Sequence, residues 1–493
     1  MLPETSRRNF LSGLGVGALI TGLDPVSRRW VANPAANSPL IPLPRLKGRL
    51  LFDQADLAAA ADDFGHIVHR KPRAVLQPGA IDDIAIMLRF CHAHRIPAAP
   101  RGQGHATFGQ AQATAGLIIE MATLDSIDVG DGQVTVGAGA RWSSLLAQTL
   151  PRGLTPPVLT DYLELSVGGT LSVGGVGGAS QHFGAQVDNV LELEVVTGTG
   201  ERAVCSPTRR PDLFHAVLAG LGQCAVVVRA TLGLLPAPSA VRHYNLFYPS
   251  VDALTADQRR VLADGRFSFV EGQAQAMPDG SAGWQYLLEA GAYYDSTPPD
   301  DQALIGDLSF EPGTQQIENL GYFDFLNRLA PAVAFLESTG EWFDPHPWWN
   351  AFLPGSATNA FVSSVMAGLT EADIGASGVI LLYPLRHAVL GAPLLRVPDE
   401  DTVFLFALLR TAAPDIGALS ADTMITANRA LFDQLRDLGG YQYPVGSIPM
   451  TPADWRAHFG PEWSFLSAAR RRYDPGGILT PGQGIFPAPG GKQ

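Results

Sequence analysis

Cysteine is nearly absent from this chain of 493 residues. Cys91, Cys205 and Cys224 are too few for a disulfide framework, and all three read as buried small apolar side chains. Charge is sparse as well: 16% of residues are Asp, Glu, Lys or Arg, and the formal balance is −13. An acidic protein is a poor partner for the phosphates of nucleic acid. No stretch holds the roughly 18–20 uninterrupted apolar residues of a membrane helix, so no integral membrane segment is expected once the N-terminus is removed. Glycine-lysine followed by Ser or Thr never occurs, which removes a P-loop. Internal repeats and low-complexity segments are also missing.

What is present is globular, with 46% hydrophobic residues and enough length for more than one domain. The N-terminus is a separate matter. Ser6-Arg7-Arg8-Asn9-Phe10-Leu11 is a twin-arginine pattern, and a short apolar run follows it to residue 23. As a helix those residues would span only about 20 Å, short of a bilayer core. Residues 1–38 therefore read as a signal peptide, and the protein as exported, periplasmic or secreted.

From residue 71 strands and helices alternate. Ile81, Ile84, Leu88 and Cys91 recur at helical spacing, and Asp82 and Asp83 favour the first turn. Gly130-Asp131-Gly132 and Gly198-Thr199-Gly200 each sit between alternating apolar runs and read as hairpins. Residues 39–51 read as a proline-containing linker, and a helix from Trp142 should stop at Pro151.

Glycine carries the chemical signal. Residues 101–112, RGQGHATFGQAQ, set Gly102, Gly104 and Gly109 around His105. Such a loop can bring backbone N–H groups close to an anion. Residues 167–178, VGGTLSVGGVGG, form a second such region, too rich in glycine for a stable helix or plain strand. A dinucleotide fingerprint fails on spacing, because Thr107 occupies the third glycine position. Two backbone-lined loops could still hold a dinucleotide by its pyrophosphate.

Several segments together resemble one family. TDYL at 160–163, SVGGTLSVGGVGG at 166–178, DNVLELEVVTGTGE at 188–201, WFDPHPWWNAFLP at 342–354 and YDPGGILTPGQGIF at 473–486 resemble cytokinin dehydrogenases, within the wider group of vanillyl-alcohol oxidase-type flavoproteins. Residues 322–329 resemble part of the same family's substrate domain. The resemblance implies an α+β fold of two domains. An FAD-binding domain over 39–240, with its core at 71–236, precedes a substrate domain built on an antiparallel sheet over 241–440. Residues 441–493 return to the first domain.

It also implies roles. RGQGHATFGQA resembles the family's loop bearing the flavin-linked histidine, so His105 would carry FAD covalently. Gly102, Gln103, Gly104, Ala106, Gln110, Asp161, Ser166, Ser172, Val176, Val227, Thr480 and Gln483 would line the cofactor. Ala106 stands where the plant enzymes usually have serine. Asp161 matches the catalytic aspartate, and Glu271 the acidic partner that faces it. Trp348, Asn350 and Tyr383 match positions near the substrate. The activity implied is oxidation of the carbon–nitrogen bond to the substituent of an N6-substituted adenine, with a quinone or oxygen taking the electrons. A covalent-FAD oxidase of an alcohol or sugar, and a non-catalytic protein that binds adenine-type ligands, are the alternatives.

Overall fold

Residues 117–119 are Leu-Ile-Ile, apolar on both sides of the strand, and such a run belongs in a sheet covered on both faces. The computed structural model places them there. It describes residues 43–277 and 281–487, and the backbone of three short antiparallel strands, Ile20–Asp24, Arg29–Ala32 and Leu40–Pro42. The twin-arginine pattern lies outside the described residues. Strands Ala74–Gln77, Leu117–Glu120 and Ala98–Arg101 run parallel, with Leu117 opposite both Ala74 and Ala98. The helix Ile81–His94 forms the crossover between Ala74–Gln77 and Ala98–Arg101, burying Ile84, Leu88 and Cys91 as their spacing predicts. Arg95, in a left-handed conformation with φ of 52°, ends it.

Two expectations fail here. Residues 39–51 are not wholly linker: Arg49–Leu51 adds an antiparallel strand to Ala74–Gln77, and helix Gln54–Ala60 follows. A three-residue strand is too short to show periodicity. It is fixed instead by Asp83, whose carboxylate accepts the amides of Lys47, Gly48 and Gly79 at 2.7–2.8 Å. The second glycine region does contain a short helix, Val167–Leu171. Its first amides find tertiary partners, Val167 on the Ala140 carbonyl and Gly168 on that of Ala138, which compensates its poor intrinsic propensity. Pro151, expected as a stop, follows a helix that ends at Thr149 and sits inside the 3₁₀ turn Leu150–Arg152.

A five-stranded antiparallel sheet follows, ordered Arg202–Cys205, Val190–Thr197, Ala225–Gly233, Gln133–Gly137 and Ile127–Val129. Both expected hairpins are in it. The largest sheet has eight antiparallel strands drawn from residues 240–442, so the vanillyl-alcohol oxidase-type architecture of an α+β unit beside an antiparallel sheet is observed. Strand alternation divides its residues. Phe404, Phe406 and Leu408 pack with Leu254, Val362 and Phe432 from its covering helices, while Val403, Leu405 and Ala407 join the core of the first domain. All three cysteines are buried and free. Among the described residues no helix is long and apolar enough to cross a membrane.

The C-terminal segment closes the assembly. Leu479 pairs in parallel with Ala98, with the Ala98 amide on the Ile478 carbonyl and the Thr480 amide on the Ala98 carbonyl, each at 2.8 Å. Three residues on, Gly482 lies so close to the histidine loop that a Cβ would stand 2.2 Å from the Gly109 carbonyl oxygen. Gly482→Ala should therefore cost about 1–3 kcal/mol in unfolding free energy by overpacking. Chemical denaturation tests this; an unchanged midpoint would show that the segment yields freely.

Candidate active site

The loop after strand Ala98–Arg101 is held by its carbonyls. The amide of Phe64 donates to the Gly104 oxygen and that of Gly65 to the Ala106 oxygen. Asp63 accepts the Gly65 and Gly109 amides, and Arg70 donates to the Gly109 carbonyl at 2.6 Å. The amides of Gln103, Gly104, His105, Ala106 and Thr107 have no acceptor among the described residues. Five consecutive free donors in a glycine-kinked turn suit an anion, and the fit to a phosphate-bearing cofactor is good. Ala106 contributes its backbone, which alanine supplies as well as serine.

The second glycine region backs onto the first. A Cβ on Gly102 would stand 2.0 Å from Ser166 Oγ, and Ser166 is the N-cap of helix Val167–Leu171. Thr480, with φ of 45°, donates through Oγ1 to the Gly222 carbonyl, and Gln483 follows in the next turn. Ser166 thus joins the two glycine regions, and Thr480 ties the C-terminal turn to Gly222. Two of the expected cofactor residues are committed to protein. Gln110 accepts from the Phe108 amide and donates to the Gly446 carbonyl, and Ser172 donates to the Gly168 carbonyl. Their side groups hold the loops in shape.

His105 sits among rings. Phe64 stacks between His105, at 4.0 Å between centroids, and His346, at 4.1 Å. Tyr162, Trp348 and Trp342 lie 4.9, 5.6 and 5.9 Å from the His105 ring. Burial, with the nearby His346, lowers its pKa to about 3. The imidazole is therefore neutral at physiological pH, and neither nitrogen is hydrogen-bonded among the described residues. That leaves a lone pair free to act as a nucleophile.

Asp161 precedes Tyr162, so one loop links the histidine to a second cluster. Asp161 Oδ1 accepts from Arg328 Nη2 at 2.8 Å. Glu271 is 1% exposed and in contact with Asp161. Burial, and then the Asp161 charge, push its carboxyl well above the ordinary range. Glu289 lies opposite Glu271 on the neighbouring strand and accepts from Arg328 Nε at 2.6 Å. Burial opposes its ionisation, but Arg328 and His243 outweigh burial and bring it down to about 2. Tyr383 is buried beside both acids. Asn350 lies on the same side of its strand as Phe352, and its buried Nδ2 has no partner. Trp348 stands against Phe64 at 5.2 Å.

Sequence reasoning missed Arg328, Glu289, Phe64 and Asp63. Glu289 did carry a signal, as the lone charge in the strand WQYLLEAGAYY. Arg328 lies inside the 322–329 segment that resembles the substrate domain, with nothing in its own spacing to separate it from a surface arginine.

Comparison with known proteins decides the family. A family model described as FAD binding domain matches residues 72–206, and one described as Cytokinin dehydrogenase 1, FAD and cytokinin binding, matches residues 273–486. Cytokinin dehydrogenase 7 of Oryza sativa subsp. japonica is 37% identical, with 90% of this chain and 92% of the rice protein covered. The protein belongs to the cytokinin dehydrogenase family. It is an FAD-dependent oxidoreductase. A protein of Rhodococcoides fascians described as Uncharacterized oxidoreductase ORF5 in fasciation locus is 42% identical over 87% of this chain and 97% of its own. Cytokinin dehydrogenase 4 of Arabidopsis thaliana is 35% identical over 89% and 92%. The fold matches crystalline 6-hydroxy-D-nicotine oxidase of Arthrobacter nicotinovorans, with a TM-score of 0.68, 20% identity, and coverage of 88% of this chain and 96% of that one.

The stacked histidines set a pH dependence. Burial lowers the pKa of His346 to about 4, below its unfolded value of about 6.5. The unfolded protein therefore takes up a proton there first as pH falls, so this contribution is present above about 6.5 and lost toward 4. Asp63, raised by burial to about 6, acts in the opposite sense. His346→Gln should flatten the fall in melting temperature between pH 6.5 and 4.5. An unchanged slope would exclude His346 as a source of acid sensitivity.

Proposed function

We propose that this enzyme oxidises the carbon–nitrogen bond to the substituent of N6-substituted adenines, with FAD attached covalently to His105. The observation that carries the reading is the junction at residues 161–162. Asp161 meets the buried acid Glu271, and its neighbour Tyr162 packs on the neutral His105, so one loop joins the proton acceptor to the flavin anchor. The names of the plant relatives point to the same substrate class.

Bound FAD would supply a two-electron acceptor for the hydride leaving the carbon next to nitrogen. Removing that hydride also requires the N–H proton to leave, and Asp161 is the group that takes it. The imine then hydrolyses to adenine and an aldehyde. Glu271 shares its proton with Asp161, so the two act as a pair. Trp348 offers a flat face for a purine, Tyr383 closes the wall beside the acids, and Asn350 Nδ2 is a free donor for a ring nitrogen. The neutral His105 lone pair is the nucleophile for flavin attachment, and Gly102–Ala106 would line the same group through backbone amides. The twin-arginine pattern at Arg7-Arg8 supports export of the folded protein.

Two experiments test this. Wild-type protein precipitated with acid should keep its flavin absorbance, while His105→Gln should release it; release from wild type would refute the link. Asp161→Asn should slow anaerobic flavin reduction by isopentenyladenine about 10²–10⁴-fold while still binding it. Reduction at the wild-type rate would remove Asp161 from the chemistry.

A further inference from the structure

Glu271 and Glu289 are directly opposed across antiparallel strands, 1% and 4% exposed. Like charges in that relation repel, and burial magnifies the penalty. Asp161 adds a third carboxyl to the cluster. One guanidinium answers all three. Arg328 grips Glu289 through two bonds, Nε to Oε1 at 2.6 Å and Nη2 to Oε2 at 3.2 Å. The rings of Phe269 and Phe325 lie 4.8 and 5.0 Å from its central carbon and fix its plane. Held in this way, Arg328 directs Nη2 at Asp161 at 2.8 Å, but reaches Glu271 only at 3.5 Å. The hold continues outward: His243 lies 3.0 Å from Glu289 through Nε2 and 3.1 Å from the largely exposed Glu318 through Nδ1.

The asymmetry has a chemical consequence. Glu271 Oε1 has no hydrogen-bond partner, and Glu271 is in contact with the carboxylate that Arg328 favours. A proton on Glu271 turns two repelling acids into donor and acceptor. A proton on Asp161 would instead sit against a cation.

We propose that Arg328 is a positioning residue that selects the proton acceptor: bound to Asp161, it fixes that residue as the carboxylate and leaves the shared proton on Glu271. This rests on Asp161 being the base. In the reaction the substrate N–H proton would pass to Asp161 while bound FAD would supply the acceptor for the hydride, so charge and electrons balance without another reactant. Glu289 and His243 act one step further out, by aiming Arg328. The other ionisable groups facing the cluster are Tyr293 and Tyr383, both held neutral by burial.

The test uses flavin-loaded wild type, Arg328→Met and Arg328→Lys, with Glu271→Gln and Asp161→Asn as markers. At neutral pH, infrared spectroscopy of the wild type should show a buried carboxylic acid carbonyl band that disappears in Glu271→Gln and persists in Asp161→Asn. In Arg328→Met the proton should move, so that the band is lost on adding Asp161→Asn. The acid limb of flavin reduction by isopentenyladenine should rise by about one pH unit or more. Arg328→Lys keeps the charge without the fork and should give a smaller shift, which covers the case in which Arg328→Met fails to fold. A wild-type band that belongs to Asp161 would overturn the proposal, as would an unchanged band and acid limb in a folded Arg328 variant. The infrared assignment needs no turnover, so it stands even if isopentenyladenine proves not to be a substrate.

Discussion

A loop that spends its carbonyls on protein and leaves five amides without an acceptor is the constraint on which this structure depends. The oxygens of Gly104 and Ala106 are taken by the 64–65 backbone, so residues 103–107 can turn their N–H groups only toward something that is not protein. Donors without a protein acceptor are left for water or an anion, and the fold holds the loop firmly around them. Asp63, Arg70, the 445–447 segment and the Gly482 turn all bind it from different directions. The two domains meet here as well, since the His346 amide donates to the Gly65 carbonyl and Phe64 stacks between histidines from both.

From that loop the organisation of the site follows by short steps. Tyr162 touches His105, Asp161 precedes it, and Asp161 opens onto a buried acid cluster that one arginine bridges. His105 is neutral because it is packed among rings, whereas the acid pair is surrounded by charge. One site therefore holds a neutral imidazole and a pair of acids in different electrostatic surroundings, joined through one short loop.

Much of this was legible in the sequence, for identifiable reasons. The crossover helix and the two glycine hairpins announce themselves through periodicity and turn residues. His105 stands out because glycine surrounds it, whereas Asp161 is singled out only by the family resemblance of TDYL at 160–163. Arg49–Leu51 and helix Val167–Leu171 were hidden, one by its shortness and the other by glycine, because tertiary hydrogen bonds form them. Arg328 was hidden for a deeper reason. Its partners lie 39, 57 and 167 residues away, so only the folded sheet brings them together.

The central claim is the bond that is broken, and a single anaerobic turnover measures it most directly. Stoichiometric isopentenyladenine should bleach the flavin of the wild-type enzyme and yield one equivalent each of adenine and aldehyde by mass spectrometry. Flavin bleached by alditols and untouched by isopentenyladenine would contradict the account.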